Sequence, residues 1–341
     1  MALDDRKARV LRAVVEEHIE TGLPVGSRVI ARRYSLGVSP ATIRNEMADL
    51  EDTGYLDKPH TSSGRVPSDR GYRLYVDELM PERGLSQDEI ASLEVLFRSK
   101  AKDVVSVLKE TVKAISETTN YLGFVLGPDS GSVTYTGVHL LPASVGKALL
   151  VIITDVGVVD TCLIEVPPMP DDEIRRVSDM LSRYLSNVEL SRVPDRAHLM
   201  LHEEASRYSE IVDQVVECLR SLQAMPEGER LMVSGAVNLL SQPEFRDVDR
   251  VRHLFSAIES EGLIQYLLER RSQTESPAIS IGAENESSAV KDLSMVYGRF
   301  SAGRIEGTVG LLGPKRMDYS KAVAIVRFLE SRLSRYLSRL Q

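Results

Sequence analysis

The residues from Ser39 to Asp52 combine side chains that can hydrogen-bond to the edges of bases. On a helical wheel at about 100° per residue, Ile43, Met47 and Leu50 fall on one face, and the opposite face is small or polar. Asparagine can bond adenine through two atoms, arginine can bond guanine or a phosphate, and alanine permits close approach to a thymine methyl group. The pattern predicts a recognition helix that enters the major groove with its first two turns. The predicted base-reading residues are Ser39, Ala41, Thr42, Arg44 and Asn45.

Charge alternates in sign around this predicted helix, although the formal net charge of the chain is −8. Residues 27–45 hold four arginines and no acid, residues 46–57 hold five acids and no base, and residues 58–73 are mainly basic. Such runs are often only solvated faces, but two basic segments around a recognition helix favour contacts to the DNA backbone. The late acids of the helix should then point away from DNA. The predicted backbone and wing contacts are Arg28, Arg32, Arg33, Lys58, His60, Thr61, Ser62, Ser63 and Arg65.

Three helices and a small hairpin are predicted to position these side chains. In order, they are a helix over 4–21, a helix over 27–34, a helix from Pro40 to Gly54, and strands over 55–58 and 65–67. Ser27, Ser39 and Ser68 are the expected helix caps, and Gly64 is expected at positive φ in the turn. This order is typical of a winged helix-turn-helix. Some winged helices dock proteins instead of DNA, and that alternative stays open.

Beyond residue 80 the pattern predicts an α+β arrangement. Ser86 and Glu89 form a capping box that opens a new helix. Strands are expected over 121–126, 133–140, 147–154, 158–166, 278–283, 293–301 and 305–312, and a long helix closes the chain. Residues 171–271 are expected to be mostly helical, apart from a strand at 230–236. One economical interpretation is a single α+β domain interrupted by a helical insertion.

Length and composition exclude several classes of protein. The chain has 341 residues, of which 27% are charged and 43% hydrophobic, as in ordinary soluble proteins of two or three domains. No apolar run is long enough to cross a bilayer, and the charged N-terminus lacks a signal-peptide core, so a cytoplasmic location without a membrane partner is expected. With only Cys162 and Cys218, neither a zinc knuckle nor a disulfide framework is expected, and Cys162 is predicted to be a buried inert thiol.

The sequence offers little for catalysis. His198 and His202 lie four residues apart before Glu203 and Glu204, but two histidines without a third fixed ligand are more often surface residues than a metal site. His18 is expected to be structural. The loops 127–132 and 313–318 contain glycine but lack the pattern of a phosphate cradle, and are interpreted as turns. No enzyme, no catalytic residue, no metal and no cofactor are therefore predicted.

Two long motifs, "SPATIRNEMADLEDTGYL" and "PHTSSGRVPSDRGYRLYVD", resemble the N-terminal domain of the HrcA family of bacterial heat-inducible transcription repressors. The segments "VSGAVNLLSQPEF" and "GTVGLLGPKRMDY" extend the resemblance over nearly the whole chain. The resemblance implies a winged-helix domain over 1–80 and a linker helix region over 81–120. It also implies a GAF-like domain in two segments, 121–170 and 272–341, and an inserted dimerisation domain over 171–271.

The same resemblance implies a function. Members of this family are homodimeric repressors of class I heat-shock operons of the groE and dnaK type, and they bind double-stranded DNA at the CIRCE inverted repeat. Their active form is supported by the GroEL chaperonin and is lost on heat stress. We expect the insertion and the helix after Ser86 to set the dimer. Two alternatives stay open for the GAF-like domain, a small-molecule site or an interior filled by side chains.

Overall fold

The computed structural model describes the chain in separate segments. They are residues 3–59, 64–98, 104–127, 134–154, 159–189, 192–193, 196, 208–223, 231–240, 242, 276–285, 290–291, 293–303 and 305–339. The predicted wing residues His60, Thr61, Ser62 and Ser63 lie outside these segments of the chain, as do His198, His202, Glu203 and Glu204.

The N-terminal unit (residues 3–80) has the predicted order of elements. They are α1 (Asp5–Thr21), α2 (Ser27–Arg33), α3 (Pro40–Asp52), β1 (Leu56–Asp57), β2 (Val66–Pro67), α4 (Asp69–Leu74) and a π-helical turn (Tyr75–Leu79). The carboxylate of Asp4 caps α1 by accepting from the Lys7 N–H, and Gly22 ends it at φ 68°. The hydroxyl of Ser68 caps α4 as predicted, by accepting from the Gly71 N–H at 3.1 Å.

Two local predictions in this unit are wrong. Ser27 does not cap α2, because Gly26 occupies the cap position and Ser27 is the first helical residue, where it is buried. Gly64 does not adopt positive φ. It is needed for another reason: Arg65 pairs with Val25 through two backbone hydrogen bonds of 2.8 and 2.9 Å, and an added Cβ at Gly64 would overlap the Val25 backbone.

The largest sheet of the described residues has five antiparallel strands, in the order β8-β3-β11-β10-β9. Its strands are β3 (Leu122–Leu126), β8 (Leu231–Ser234), β9 (Ala278–Ile281), β10 (Leu293–Ala302) and β11 (Ile305–Pro314). The helices that accompany it are α5 (Gln87–Arg98), α6 (Val104–Thr119), α9 (Ala236–Leu240) and α10 (Tyr319–Leu337). α6 and α10 pack on this sheet. The predicted capping box of α5 is confirmed, with Ser86 N–H to Glu89 Oε2 at 2.8 Å and Glu89 N–H to Ser86 Oγ at 3.2 Å.

A separate four-stranded unit contains strands that the sequence assigns elsewhere. Its sheet runs β6-β5-β4-β7, with β4 (Thr134–Ser144), β5 (Lys147–Thr154), β6 (Val159–Glu165) and β7 (Val188–Glu189). Helices α7 (Asp171–Leu185) and α8 (Ser209–Gln223) pack on it. The predicted boundary at residue 171 is therefore wrong, since β4 to β6 belong with α7 and α8, whereas β8 leaves the insertion to pair with β3. Apolar strands look alike in sequence, so local pattern does not reveal which sheet a strand joins.

The cysteines also differ from expectation. Cys162 in β6 and Cys218 in α8 pair as a disulfide with Cα atoms 6.7 Å apart, so the prediction of an unpaired Cys162 thiol and no disulfide is wrong. They are separated by 56 positions, and only the packing of α8 on β6 brings them together.

The buried residues show which units form one body. One continuous hydrophobic core joins α1, α3 and α4 of the N-terminal unit with α6, α10 and one face of the five-stranded sheet. The four-stranded unit has a core of its own. Within the five-stranded sheet an added Cβ at Gly310 would overlap the ring of Phe124, its neighbour on the adjacent strand β3. Among the described residues, no helix is both long and apolar enough to span a bilayer.

Candidate nucleic-acid interface

Helix α3 separates an inward face from an outward face as predicted. Ile43 and Leu50 are fully buried and Met47 is nearly so, whereas Ala41, Arg44 and Asn45 are exposed. Pro40 occupies the first turn, where its missing N–H removes no helical hydrogen bond. The outward face of the first two turns therefore offers one guanidinium and one amide on a surface otherwise built from small side chains.

The hydroxyls of Ser39 and Thr42 are engaged at the start of the helix. Ser39 Oγ accepts from the Thr42 N–H at 3.1 Å, and the two hydroxyl oxygens lie 3.0 Å apart. Ser39 is exposed and Thr42 is partly exposed. Both side chains thus fix the first turn of α3, and their hydroxyls lie beside the outward face.

Three acids of α3, Glu46, Asp49 and Glu51, are bound to cations of neighbouring elements. Glu46 lies 3.5 Å from Arg6, and Asp49 lies 3.2 Å from Lys7. A hydrogen bond to Asp4 raises the pKa of Lys7 most, and a second hydrogen bond to Asp49 raises it further. These contacts turn Glu46 and Asp49 toward α1, as expected for acids that must avoid a polyanion.

The six predicted cations of the backbone and recognition surface fall into two groups. Arg28 and Arg32 on α2, Arg44 on α3 and Lys58 after β1 are exposed, and within the described residues of the chain none of them forms an ion pair. We call these four residues the free cations.

Arg33 and Arg65 are bound to acids instead. Arg33 contacts Glu17 at 2.8 Å and Glu20 at 3.0 Å, and Arg65 contacts Glu51 at 2.5 Å. Hydrogen bonds to Glu20 and then Glu17 raise the pKa of Arg33. Both guanidinium groups therefore hold local structure, and their charge is balanced within the N-terminal unit.

Sequence reasoning missed Arg70, which supports the base of the wing. Its guanidinium carbon lies 4.4 Å from the centre of the Tyr55 ring, and it donates to the Thr53 carbonyl at 3.0 Å and the Tyr55 hydroxyl at 3.2 Å. Arg70 thus connects α4 to the residues that follow α3. No helical or strand spacing relates position 70 to positions 53 and 55, so the sequence carries no signal for this contact.

The other candidate sites have structural explanations where they are described. His18 Nδ1 lies 2.7 Å from the Tyr72 hydroxyl, inside the unit, in agreement with its predicted structural role. Within the described ranges, no group of three or more histidines, cysteines and carboxylates could hold a metal ion. An exposed helix start with an amide and a guanidinium, flanked by further free cations, can hydrogen-bond to base edges and attract phosphates.

Comparisons with known proteins show which family this chain resembles. The family model described as HrcA protein C terminal domain matches residues 105–323. The chain is 41% identical to the heat-inducible transcription repressor HrcA of Moorella thermoacetica, with 100% of this chain and 99% of that protein covered. It is 40% identical to the repressor of the same name from Symbiobacterium thermophilum, over 97% of this chain and 98% of that protein.

A solved structure shares the fold. A crystal structure described as that of a hypothetical protein matches with a TM-score of 0.71 over 100% of both chains, at 24% sequence identity. The family model covers more than half of the chain, and the two relatives match it over nearly their full lengths. The chain therefore belongs to the HrcA family of heat-inducible transcription repressors.

Proposed function

We propose that the N-terminal unit binds a specific duplex sequence by placing the start of α3 in the major groove. The observation that carries this proposal is the division of α3: Arg44 and Asn45 are exposed on its outward face, while Glu46 and Asp49 are bound to α1. In this geometry Asn45 reads adenine, Arg44 reads guanine or holds a phosphate, and Ala41 permits close approach. The backbone N–H groups and the dipole at the helix start add a favourable site for a phosphate.

The free cations would contact the backbone on both sides of the recognition helix. Arg28 and Arg32 belong to the preceding helix, and Lys58 belongs to the hairpin that follows. The wing residues 60–63 stay predicted contacts. Arg33 and Arg65 are expected to contribute less than the free cations, because a phosphate would have to compete with the carboxylates that already bind them.

We propose further that the active repressor is a homodimer on an inverted repeat, since each half-site needs its own recognition helix. A row of leucines supports a self-association surface on the four-stranded sheet. Leu141, Leu149 and Leu163 lie side by side on adjacent strands, and Leu141 and Leu163 are about half exposed in the single chain. Exposed apolar surface of this kind is typical of an interface.

Membership of the family supports a proposal for the operator and its regulation. The operator is then the CIRCE inverted repeat of groE- and dnaK-type chaperone operons, and the GroEL chaperonin supports the active form. Heat-damaged proteins that occupy the chaperonin would leave the repressor inactive. A marginally stable fold suits this arrangement, because a small loss of stability changes the active fraction several-fold.

A DNA-binding titration tests the proposal directly. The intact protein is titrated onto a duplex that carries the CIRCE repeat and onto a scrambled duplex of equal length, at two salt concentrations, with and without chaperonin. We expect tight, saturable binding to the repeat alone and a larger active fraction with chaperonin. Equal and steeply salt-dependent binding to both duplexes would indicate only non-specific attraction between DNA and a basic patch. Folded dimer that binds neither duplex would favour the protein-docking alternative.

Sedimentation of point variants tests the dimer surface. Leu163→Glu places a charge in the leucine row and should shift the protein toward monomer. Val145→Glu is the matched control, since Val145 is 93% exposed at the β4–β5 turn and lies outside the row. If both variants sediment like the parent dimer, this sheet face is not the interface.

A further inference from the structure

Two motifs that the DNA interface leaves unexplained meet in the folded chain. "PSDRGYR" (67–73) covers most of α4, and "GPKRMDY" (313–319) leads into α10. The Lys315 ammonium lies 2.7 Å from the Asp69 carboxylate, 246 positions away in sequence, and the Tyr72 and Tyr319 rings lie 6.0 Å apart. The N-terminal unit is thus bound to the five-stranded unit, the part of the chain that contains the five-stranded sheet, by residues that are distant in the chain.

A second ion pair of opposite polarity lies beside the first. Arg73, four residues after Asp69 on α4, donates from Nε to Glu284 at 2.7 Å and from Nη2 to the other oxygen of the same carboxylate. Arg73 Nη2 also donates to the Ile279 carbonyl at 2.8 Å. We call Asp69, Arg73, Glu284 and Lys315 the interdomain clamp. In this orientation of α4 each charge of the clamp meets an opposite charge. If α4 shifted, like charges would meet, so the alternating charges favour one orientation.

The clamp is close-fitting and partly shielded from water. Each of its four side chains is only 30–34% exposed. Asp69 also accepts from the Ala283 N–H at 2.9 Å. Gly282 adopts φ 53°, and an added Cβ there would overlap the Asp69 carboxylate. The bidentate geometry and the backbone partners make this contact more specific than an ordinary surface ion pair.

The clamp is connected to the recognition helix through the start of α4. Ser68 precedes Asp69, and its hydroxyl donates to the Gly54 carbonyl, just beyond the end of α3, at 2.7 Å. Arg70 donates to the carbonyl of Thr53, the C-cap residue of α3. A change in how α4 sits on the five-stranded unit would therefore change the direction in which α3 points.

We propose that the four clamp residues are positioning residues for DNA recognition. They fix α3 relative to the rest of the chain, so that the two recognition helices of a dimer present the spacing of two half-sites. This inference rests on the proposed function. Without the clamp, each N-terminal unit would still bind a half-site, but the effective concentration of the second helix at the second half-site would fall.

The test compares a full inverted repeat with a single half-site, using the intact protein. The variant combines Lys315→Met with Glu284→Gln, which removes both clamp partners outside the N-terminal unit and leaves every proposed DNA contact unchanged. Glutamine keeps an acceptor for the Ile281 N–H that Glu284 binds at 2.9 Å. The matched control combines Lys113→Met with Glu117→Gln, an exposed ion pair within α6. Thermal unfolding checks that both proteins are folded.

We expect the clamp variant to lose about tenfold in affinity for the full repeat and less than about twofold for the half-site, because only the bivalent term changes. The control and the charge-conserving Lys315→Arg should bind like the parent. A clamp variant that keeps the parent's preference for the full repeat would overturn this inference alone. A parent protein that binds the full repeat no better than a half-site would overturn the proposed function and this inference with it. Equal losses on both duplexes would also overturn it, since they indicate general destabilisation.

Discussion

Three exposed arginines of α2 and α3 and the two arginines of α4 belong to one small unit, but the fold uses them differently. Arg28, Arg32 and Arg44 are exposed and form no ion pair within the described segments of the chain. Arg70 and Arg73 are bound to carbonyl groups, an aromatic ring and a carboxylate of other elements. Residue type alone therefore does not separate an arginine that can bind a ligand from one that assembles the protein.

This difference shows that the partners of a charge indicate its role. A guanidinium with carboxylate and backbone partners in the fold loses those contacts if it moves to a phosphate, so it is a poor site for DNA. A guanidinium that no acid neutralises keeps its full attraction for a polyanion. The same criterion separates Lys58 from Arg65 in the wing.

Removal of the free arginines should have the largest effect. Replacement of Arg28, Arg32 and Arg44 by glutamine should reduce the magnitude of the negative slope of log affinity against log salt by about 2 if Arg44 reads guanine, and by about 3 if it holds a phosphate, because each phosphate contact contributes about 0.9. At about 0.1 M salt this corresponds to a loss of two to three orders of magnitude on every duplex. On a duplex with a single half-site, where the clamp has little effect, Arg73→Gln is the control and should leave the slope unchanged. An equal change of slope for both proteins would contradict the distinction between arginines that are free to bind DNA and arginines that are bound within the fold.

Asn45→Ala should have a smaller and more selective effect. It removes the proposed adenine contact and should cost about 1–3 kcal/mol on the specific repeat, with little change on scrambled DNA. Asp52→Ala, at the exposed far end of the same helix, is the matched control. The checking measurement is the ratio of the two dissociation constants for each protein. Equal weakening on all sequences would indicate that Asn45 contacts the DNA backbone instead of a base.

The smallest effect is expected in the wing. Lys58→Gln should reduce the magnitude of the slope of log affinity against log salt by about 1, since one phosphate contact is lost. Arg65→Gln should leave the slope nearly unchanged, because Glu51 already binds this side chain at 2.5 Å. Parallel salt titrations of the two variants measure the two slopes. A larger slope change for Arg65→Gln than for Lys58→Gln would show that the ion pair opens on DNA.

The sequence predicts local structure well where a periodicity or a cap determines it. The inward face of α3, the Ser39 cap, the capping box at Ser86 and the order of elements up to β2 all follow from spacings within a few residues. Each of these features depends on contacts between near neighbours in the chain, which leave a direct trace in the sequence.

Long-range contacts leave no such trace. The assignment of β4 to β6 to a separate sheet, the pairing of Cys162 with Cys218, and the clamp between α4 and Lys315 depend on how distant segments pack. For the same reason the pattern that predicts DNA contacts for Arg33 and Arg65 contains no sign of the acids that bind these two side chains. Glu17 and Glu51 become partners only once the helices and the hairpin are folded.

Site-specific photo-crosslinking tests most directly whether the outward face of α3 contacts bases. A photoreactive residue replaces Ala41, at the start of that face, and in a second protein replaces Asp77, which is exposed on the π-helical turn. We predict crosslinks from position 41 to major-groove bases in both halves of the inverted repeat, and none from position 77. Crosslinks from position 77 alone, or stable binding to the repeat without any crosslink from position 41, would contradict the proposed role of α3.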